Sequence, residues 1–200
     1  MRRLSPLTGL KVLDISTVYA APITAMLLGD MGADVLKVEH PNGDPARTHG
    51  WDRDGHGLWW KVIARNKRAV TLKLSTPEGQ ELLRELAADA DVLVENFRPG
   101  VLEKWGLGPD VLLERNPRLV TCSIGAFGSK GPLAREPGYD PLMQAFAGII
   151  SITGEADRPG VRVGASLVDI GTGVWAALGI VAALLERGAD GPGREVGVAL

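Results

Sequence analysis

Four short polar segments carry groups able to hold a ligand: Thr17-Val18-Tyr19-Ala20, His40-Pro41-Asn42, Asn96-Phe97-Arg98 and Gly125-Ala126-Phe127-Gly128. Each follows an apolar run. Together they offer hydrogen-bonding groups, aromatic faces and a guanidinium. Such a set suits a nucleotide, with aromatic faces for a base and Arg98 or Lys104 for phosphate. The same two cations also read as solvated surface charges, the ordinary fate of Arg and Lys. Other chemistries find less support. His40, His49 and His56 are not at ligand spacing and there is no cysteine pair, so no metal site is expected. Ser123 precedes Gly125 without the G-x-S-x-G frame of a serine hydrolase, and no histidine follows it. The turn after the first apolar run lacks G-x-G-x-x-G, which weakens a dinucleotide reading. Gly125–Gly131 has glycines, Ser129 and Lys130 outside the order of a phosphate loop, and reads as a flexible loop. Cys122 lies inside the apolar run Leu119–Ile124 and reads as a buried structural thiol.

The elements that must position these groups alternate. Lys11–Ser16, Asp34–His40, Ala69–Leu74, Asp91–Glu95 and Leu119–Ile124 are short, rich in Val, Leu and Ile, and bounded by turn residues, as strands are. Helical signals fall between most of them. Ile23, Met26 and Leu27 share a helical face, with Gly32 as a stop. Thr76-Pro77-Glu78 is a helix start, and Leu82, Leu83, Leu86 and Ala87 form an apolar stripe behind it. Val174–Leu185 reads as a buried helix. Strand, helix, strand in alternation predicts an α/β fold with a mainly parallel sheet. In such sheets ligands bind beyond the carboxyl ends of the strands, where the four polar segments stand. Arg47–Lys61 is a polar insertion without a clear period. Its Trp51, with Trp59 and Trp60, suits an acyl pocket or simple packing.

Composition narrows the class. The 200 residues are 45% hydrophobic and 23% charged, with a net charge of -2. That is ordinary for a globular domain and gives no field to recruit nucleic acid or an anionic membrane. A single cysteine excludes an internal disulfide and fits a reducing compartment, so a cytoplasmic protein is expected. No signal peptide is visible, and Val174–Leu185 is too short to span a bilayer. Glu195–Leu200 alternates like a strand in progress, which predicts that more protein follows Leu200.

Several segments in a fixed order carry a resemblance. They are Leu7-Thr8-Gly9-Leu10-Lys11-Val12-Leu13-Asp14, Gly29-Asp30-Met31-Gly32-Ala33-Asp34-Val35-Leu36-Lys37-Val38-Glu39 and Asn66-Lys67-Arg68. Then come Ala90-Asp91-Val92-Leu93-Val94-Glu95-Asn96-Phe97-Arg98-Pro99-Gly100, Gly106-Leu107-Gly108, Pro137-Gly138-Tyr139-Asp140 and Val168-Asp169-Ile170-Gly171-Thr172-Gly173. Over nearly its whole length the chain resembles the family III CoA-transferases, the group of formyl-CoA transferase and carnitine CoA-transferase. The resemblance implies a Rossmann-like large domain, of which residues 1–200 are the amino-terminal part, a smaller second domain outside this chain, and an interlocked homodimer. It implies coenzyme A, as acyl-CoA, and a carboxylic acid as substrates. It also implies a mechanism in which an aspartate attacks the thioester to form a mixed anhydride. By match of motif that aspartate is Asp169. Its setting agrees: Leu167-Val168 before it, Gly171, Gly173 and a long apolar helix after it. A helix start favours the anion, and glycines admit a substrate and backbone N–H groups. Asp is equally at home there as a plain helix N-cap.

The same matching assigns CoA contacts to Tyr19, Ala20, His40, Leu72, Lys73, Leu74, Ser75, Asn96, Phe97, Arg98, Lys104, Pro137, Gly138, Tyr139 and Asp140. His40 and Lys104 stand where arginine occurs in members, and lysine keeps the charge without the bidentate fork. The family also contains α-methylacyl-CoA racemases, which pair a histidine base in Gly-His-Asp with the shared aspartate. Here the matching segment is Gly138-Tyr139-Asp140. A phenol with a pKa of about 10 is a poor base at neutral pH, which favours transfer over racemisation. A catalytically incomplete CoA-binding module is the third alternative.

Overall fold

The computed structural model describes residues 5–200. The first unit is β1 (Lys11–Asp14), α1 (Ala20–Asp30) and β2 (Asp34–Glu39). A 3-10 turn at Pro45–Thr48 leads to a hairpin, β3 (Asp52–Arg53) and β4 (His56–Gly57), and to α2 (Leu58–Ile63). Then follow β5 (Lys67–Thr71), α3 (Pro77–Ala88), β6 (Val92–Glu95), α4 (Val101–Lys104), α5 (Pro109–Arg115) and β7 (Val120–Gly125). The chain continues through α6 (Asp140–Phe146) and α7 (Leu167–Arg187) to β8 (Glu195–Ala199). Six strands form one sheet in the order β5-β2-β1-β6-β7-β8, all parallel. The order runs outward from β1 in one direction and from β6 in the other. That is a doubly wound, Rossmann-like sheet, with its crevice at the carboxyl ends of β1 and β6.

Both faces of the sheet are covered, which explains why its central strands are apolar on both sides. Val12, Val35, Val92, Val94, Val120 and Cys122 pack on α1 and α7. Leu13, Ile15, Leu93 and Leu119 pack on α3 and α5 through Leu83, Ala87 and Leu112. Thr76 caps α3 as expected, its hydroxyl accepting from Gly79 N at 3.3 Å.

Four expectations change in detail. The strand expected at Ala69–Leu74 is Lys67–Thr71, because Leu36–Glu39 pairs with Arg68–Thr71 and Leu74 turns into the core. Leu82 leaves the α3 stripe and is 47% exposed, whereas Leu83 and Ala87 are buried. The insertion holds short regular pieces, a hairpin and α2, and Ile63 of α2 is buried with Ile23, Met26 and Ala46. The helix expected to be buried at Val174–Leu185 begins earlier, at Leu167, and its 21 residues are long and apolar enough to cross a membrane by length and composition. It packs along α1 through small residues: a Cβ on Gly173 would meet Ile23 Cγ2 at 2.7 Å and Ala20 O at 3.0 Å. Ala176, Ala177, Ile180 and Ala183 are buried, whereas Val174, Trp175, Leu178 and Leu185 are exposed.

Beneath the carboxyl ends of β1 and β2, and reached by Lys67 from the start of β5, lies a buried charge cluster. Lys67 Nζ meets Asp14 Oδ2 at 2.8 Å and Lys37 Nζ meets Asp14 Oδ1 at 3.5 Å and Asp44 Oδ2 at 3.3 Å. Lys37 also donates to the Ser16 carbonyl, and Lys67 to the Pro22 carbonyl at 2.7 Å. Burial alone would raise the Asp14 pKa. The charges of Lys37 and Lys67, with hydrogen bonds from Lys67 and Ser16, outweigh burial and hold it below the usual range. Removing one partner from such a cluster leaves an uncompensated buried charge. We expect Lys37→Ala to cost about 3–5 kcal/mol in urea unfolding. A loss under about 1 kcal/mol would mean that water replaces the ammonium without cost.

Candidate active site

The crevice is built by the turn between β1 and α1. Asn96, just past β6, clamps this turn from the side: its Oδ1 accepts from Thr17 N at 2.9 Å and its Nδ2 donates to Thr17 O at 2.8 Å. Val18 has φ 70°, in the left-handed region. For a β-branched residue that conformation costs about 1–3 kcal/mol and needs outside support. Asp44 Oδ1 supplies it by accepting from Val18 N at 3.2 Å, and the same oxygen accepts from Ala46 N at 2.9 Å. Asp44 N donates to Glu39 Oε2 at 3.1 Å, and Arg47 forks onto the Glu39 carboxylate with two bonds of 2.7 Å. The Arg47 guanidinium lies 4.2 Å over the Trp60 ring.

Beyond Val18 the Tyr19 ring meets Trp59 and His49 edge-on, at centroid distances of 4.8 and 5.4 Å. Tyr19, Ala20, Asn96, Phe97, Arg98 and Asp169 line one cleft of about 180 Å³. Pro137, Gly138 and Tyr139 form its other lip. A larger cavity, of about 410 Å³, borders β6, β7 and β8 and excludes Asp169.

Asp169 lies in the first turn of α7 and is buried. It does not cap that helix, contrary to the plain N-cap reading. The capping carboxylate belongs to Asp140, at the start of α6, whose Oδ2 accepts from Val168 N at 2.8 Å and Asp169 N at 3.4 Å. Asp140 Oδ1 accepts from Gln144 Nε2 at 2.6 Å, and Gln144 Oε1 accepts from Val163 N at 2.8 Å, which ties down the approach to α7. Burial, then the Asp140 charge, raise the Asp169 pKa from 3.8 to about 6. Burial and the Asp169 charge in turn push the Tyr19 phenol up. Of the glycines after Asp169, Gly171 has open space around its Cβ position, whereas Gly173 serves the contact of α7 with α1.

The residues matched from the sequence divide into groups. Those named above as lining the cleft are brought together with Asp169. Asp140 stands behind, with its carboxylate buried and engaged by α7. His40, Leu72, Lys73, Leu74, Ser75 and Lys104 lie outside the cleft wall, at the ends of β2, β5 and α4. Leu74 is a core side chain, so only its backbone could meet a ligand. His40, Lys73, Ser75 and Lys104 are exposed. Arg135 and Glu136, absent from the sequence reading, also border the cleft. Their signal was a cation and an acid directly before Pro137-Gly138. Asp44 and Gln144 were missed as well. Cys122 is buried as expected, and burial followed by the Glu95 charge pushes its thiol up to about 12.

The profile of CoA-transferase family III matches residues 7–200. Succinyl-CoA–D-citramalate CoA-transferase of Chloroflexus aurantiacus is 43% identical over 98% of this chain and 49% of its own length. The beta subunit of succinyl-CoA–L-malate CoA-transferase from the same organism is 46% identical, over 98% of this chain and 49% of its own. The crystal structure of a CAIB/BAIF family protein from Brucella suis superposes with a TM-score of 0.94 at 41% identity, covering 98% of this chain and 53% of that one. The chain thus spans about half the length of the relatives it matches.

The raised pKa of Asp169 makes a stability prediction. Its folded value of about 6 exceeds the ordinary 3.8, so the stabilisation from its proton is complete below pH 3.8 and is lost as pH rises through about 6. Asp169→Asn should therefore stabilise the fold at pH 7.5 by about 1–2 kcal/mol, allowing for screening at the cleft wall. The gain should vanish near pH 4. Thermal unfolding of both proteins across that range checks it, and a gain that is independent of pH would refute it.

Proposed function

The chain belongs to CoA-transferase family III, and from that membership we propose that the full-length protein moves coenzyme A from an acyl-CoA thioester to a carboxylic acid, with Asp169 as nucleophile. The observation that carries the assignment is a buried carboxylate in the wall of the switch-point cleft, its pKa raised to about 6. At neutral pH it is mostly ionised, poorly hydrated and more basic than a surface aspartate, as a carboxylate nucleophile needs to be.

In the proposed reaction an Asp169 carboxylate oxygen attacks the thioester carbonyl. The C–S bond breaks, CoA thiolate leaves and an acyl-aspartyl anhydride forms. The thiolate then attacks the Asp169 carbonyl carbon, giving an aspartyl thioester and releasing the donor acid. The acceptor carboxylate displaces the thiolate to form a second anhydride. Attack of the thiolate on the acceptor carbonyl releases the new acyl-CoA and restores Asp169. Tyr19, Ala20, Phe97, Arg98, Pro137, Gly138 and Tyr139 would flank the CoA thioester along the cleft, with Asn96 in its wall, both ends of its amide engaged by Thr17. His40, Leu72–Ser75 and Lys104, on the same carboxyl-terminal side of the sheet, are assigned to the more distant parts of CoA. No metal is assigned to the reaction. Succinyl-CoA is the proposed donor and a dicarboxylic acid the proposed acceptor, after the names of the relatives.

Transfer is preferred to α-proton chemistry because Tyr139 replaces the histidine base, and its side chain is 70% exposed, where a buried base would be expected. A homodimer belongs to the same proposal. The exposed row Val174, Trp175, Leu178 and Leu185 on α7, beside Leu142 and Phe146 of α6, is the surface assigned to the second copy.

Two outcomes test the proposal. Asp169→Ala in the full-length protein should lower transfer from succinyl-CoA by about 10³-fold or more, read as acyl-CoA exchange by mass spectrometry. Transfer that survives unchanged would eliminate Asp169. The wild-type rate should rise with pH and level off above about 6, as Asp169 loses its proton.

A further inference from the structure

The turn from Ser16 to Val18 has no secondary-structure partners for its amides. The last ladder bond before it is Ile15 N to Val94 O, and the first helical bond after it is Ile23 N to Tyr19 O. Within the turn itself each backbone N–H goes to a side chain: Ser16 to Asp14, Thr17 to Asn96, Val18 to Asp44. Asn96 also holds the Thr17 carbonyl. Three acceptors from three separate segments thus impose a conformation that valine rarely adopts by itself.

We infer that Asn96 and Asp44 are positioning residues, which lock Thr17-Val18 in a left-handed turn and thereby seat Tyr19 beside Asp169. Each end of the Asn96 amide is engaged by the turn, so its principal partner is the backbone of Thr17. Asp44 is itself fixed: Ala46 N holds Oδ1 and Lys37 holds Oδ2. The direction of the chain after Val18 decides where the Tyr19 ring points. That ring in turn rests on Trp59 and His49 at the edge of the cleft. The lock acts through geometry alone, with no part in bond making.

The kinetic part of the test rests on the proposed CoA transfer, and the exchange part does not. In the full-length protein, Asn96→Ala and the milder Asn96→Ser should each speed amide exchange in the peptide covering residues 15–20 by at least about tenfold. They should lower kcat by about tenfold or more while leaving KM for succinyl-CoA within about threefold. Glycine holds a positive φ without strain. The kcat loss from Asn96→Ala should therefore be at least about fivefold smaller when measured on a Val18→Gly background. Equal losses on both backgrounds would overturn the lock. A rise in KM at constant kcat would do the same, by making Asn96 a direct ligand contact. Unchanged exchange in both Asn96 variants overturns it irrespective of activity. If the wild type transfers no CoA, the functional reading fails while the exchange result still decides the lock.

Discussion

The charge cluster of Asp14, Lys37, Lys67 and Asp44 is the constraint on which the crevice depends. Two carboxylates and two ammonium groups are enclosed beside the end of β1, with Lys37 from β2 and Lys67 from the start of β5. Burying any one of them singly would be prohibitive, so each requires the others in place. Lys37 stands opposite Asp14 in the strand register, and Lys67 reaches Asp14 across β2. Asp44 arrives from the loop after β2 and passes the order on to Val18. A cluster that contributes little net stability can still define a unique arrangement, and here it decides where the β1–α1 turn goes.

The opposite wall is organised by a different carboxylate. Asp140 satisfies backbone N–H groups that the first turn of α7 leaves unpaired. Its charge also opposes that of Asp169. One side chain therefore supports the helix mechanically and makes the neighbouring acid harder to ionise. Two carboxyl groups of identical chemistry take separate parts because one spends its acceptors on backbone while the other faces the cleft.

The strands and their alternation with helices were legible because parallel strands buried on both faces leave short apolar runs, as in Val92-Leu93-Val94. Strand β5 was placed too late because Lys67 and Arg68 look like loop residues. Lys67 is charged and yet buried, and only its partner Asp14 explains that. Asp169 was legible through the family pattern, but its cap was not. Asp140 and Val168 are far apart in sequence, and no local signal joins them. The left-handed turn at Val18 was likewise invisible, since nothing in Thr17-Val18-Tyr19 asks for it. The Asp140–Gln144 pair, at helical i,i+4 spacing, was the one readable hint of that scaffold.

The strand order has a consequence in time. β1 is made first but lies at the centre of the sheet, and its second neighbour, β6, is made much later. Asp14 must wait for Lys37 and Lys67, Thr17 for Asn96, and the cleft as a whole for α7. At about 5–20 residues per second on the ribosome, roughly 8–30 s separate Asp14 from Asp169. During that interval β1 carries a carboxylate that cannot yet be enclosed, and apolar neighbours with nothing to cover them. The nascent chain is thus obliged to keep this central strand open until the later strands appear.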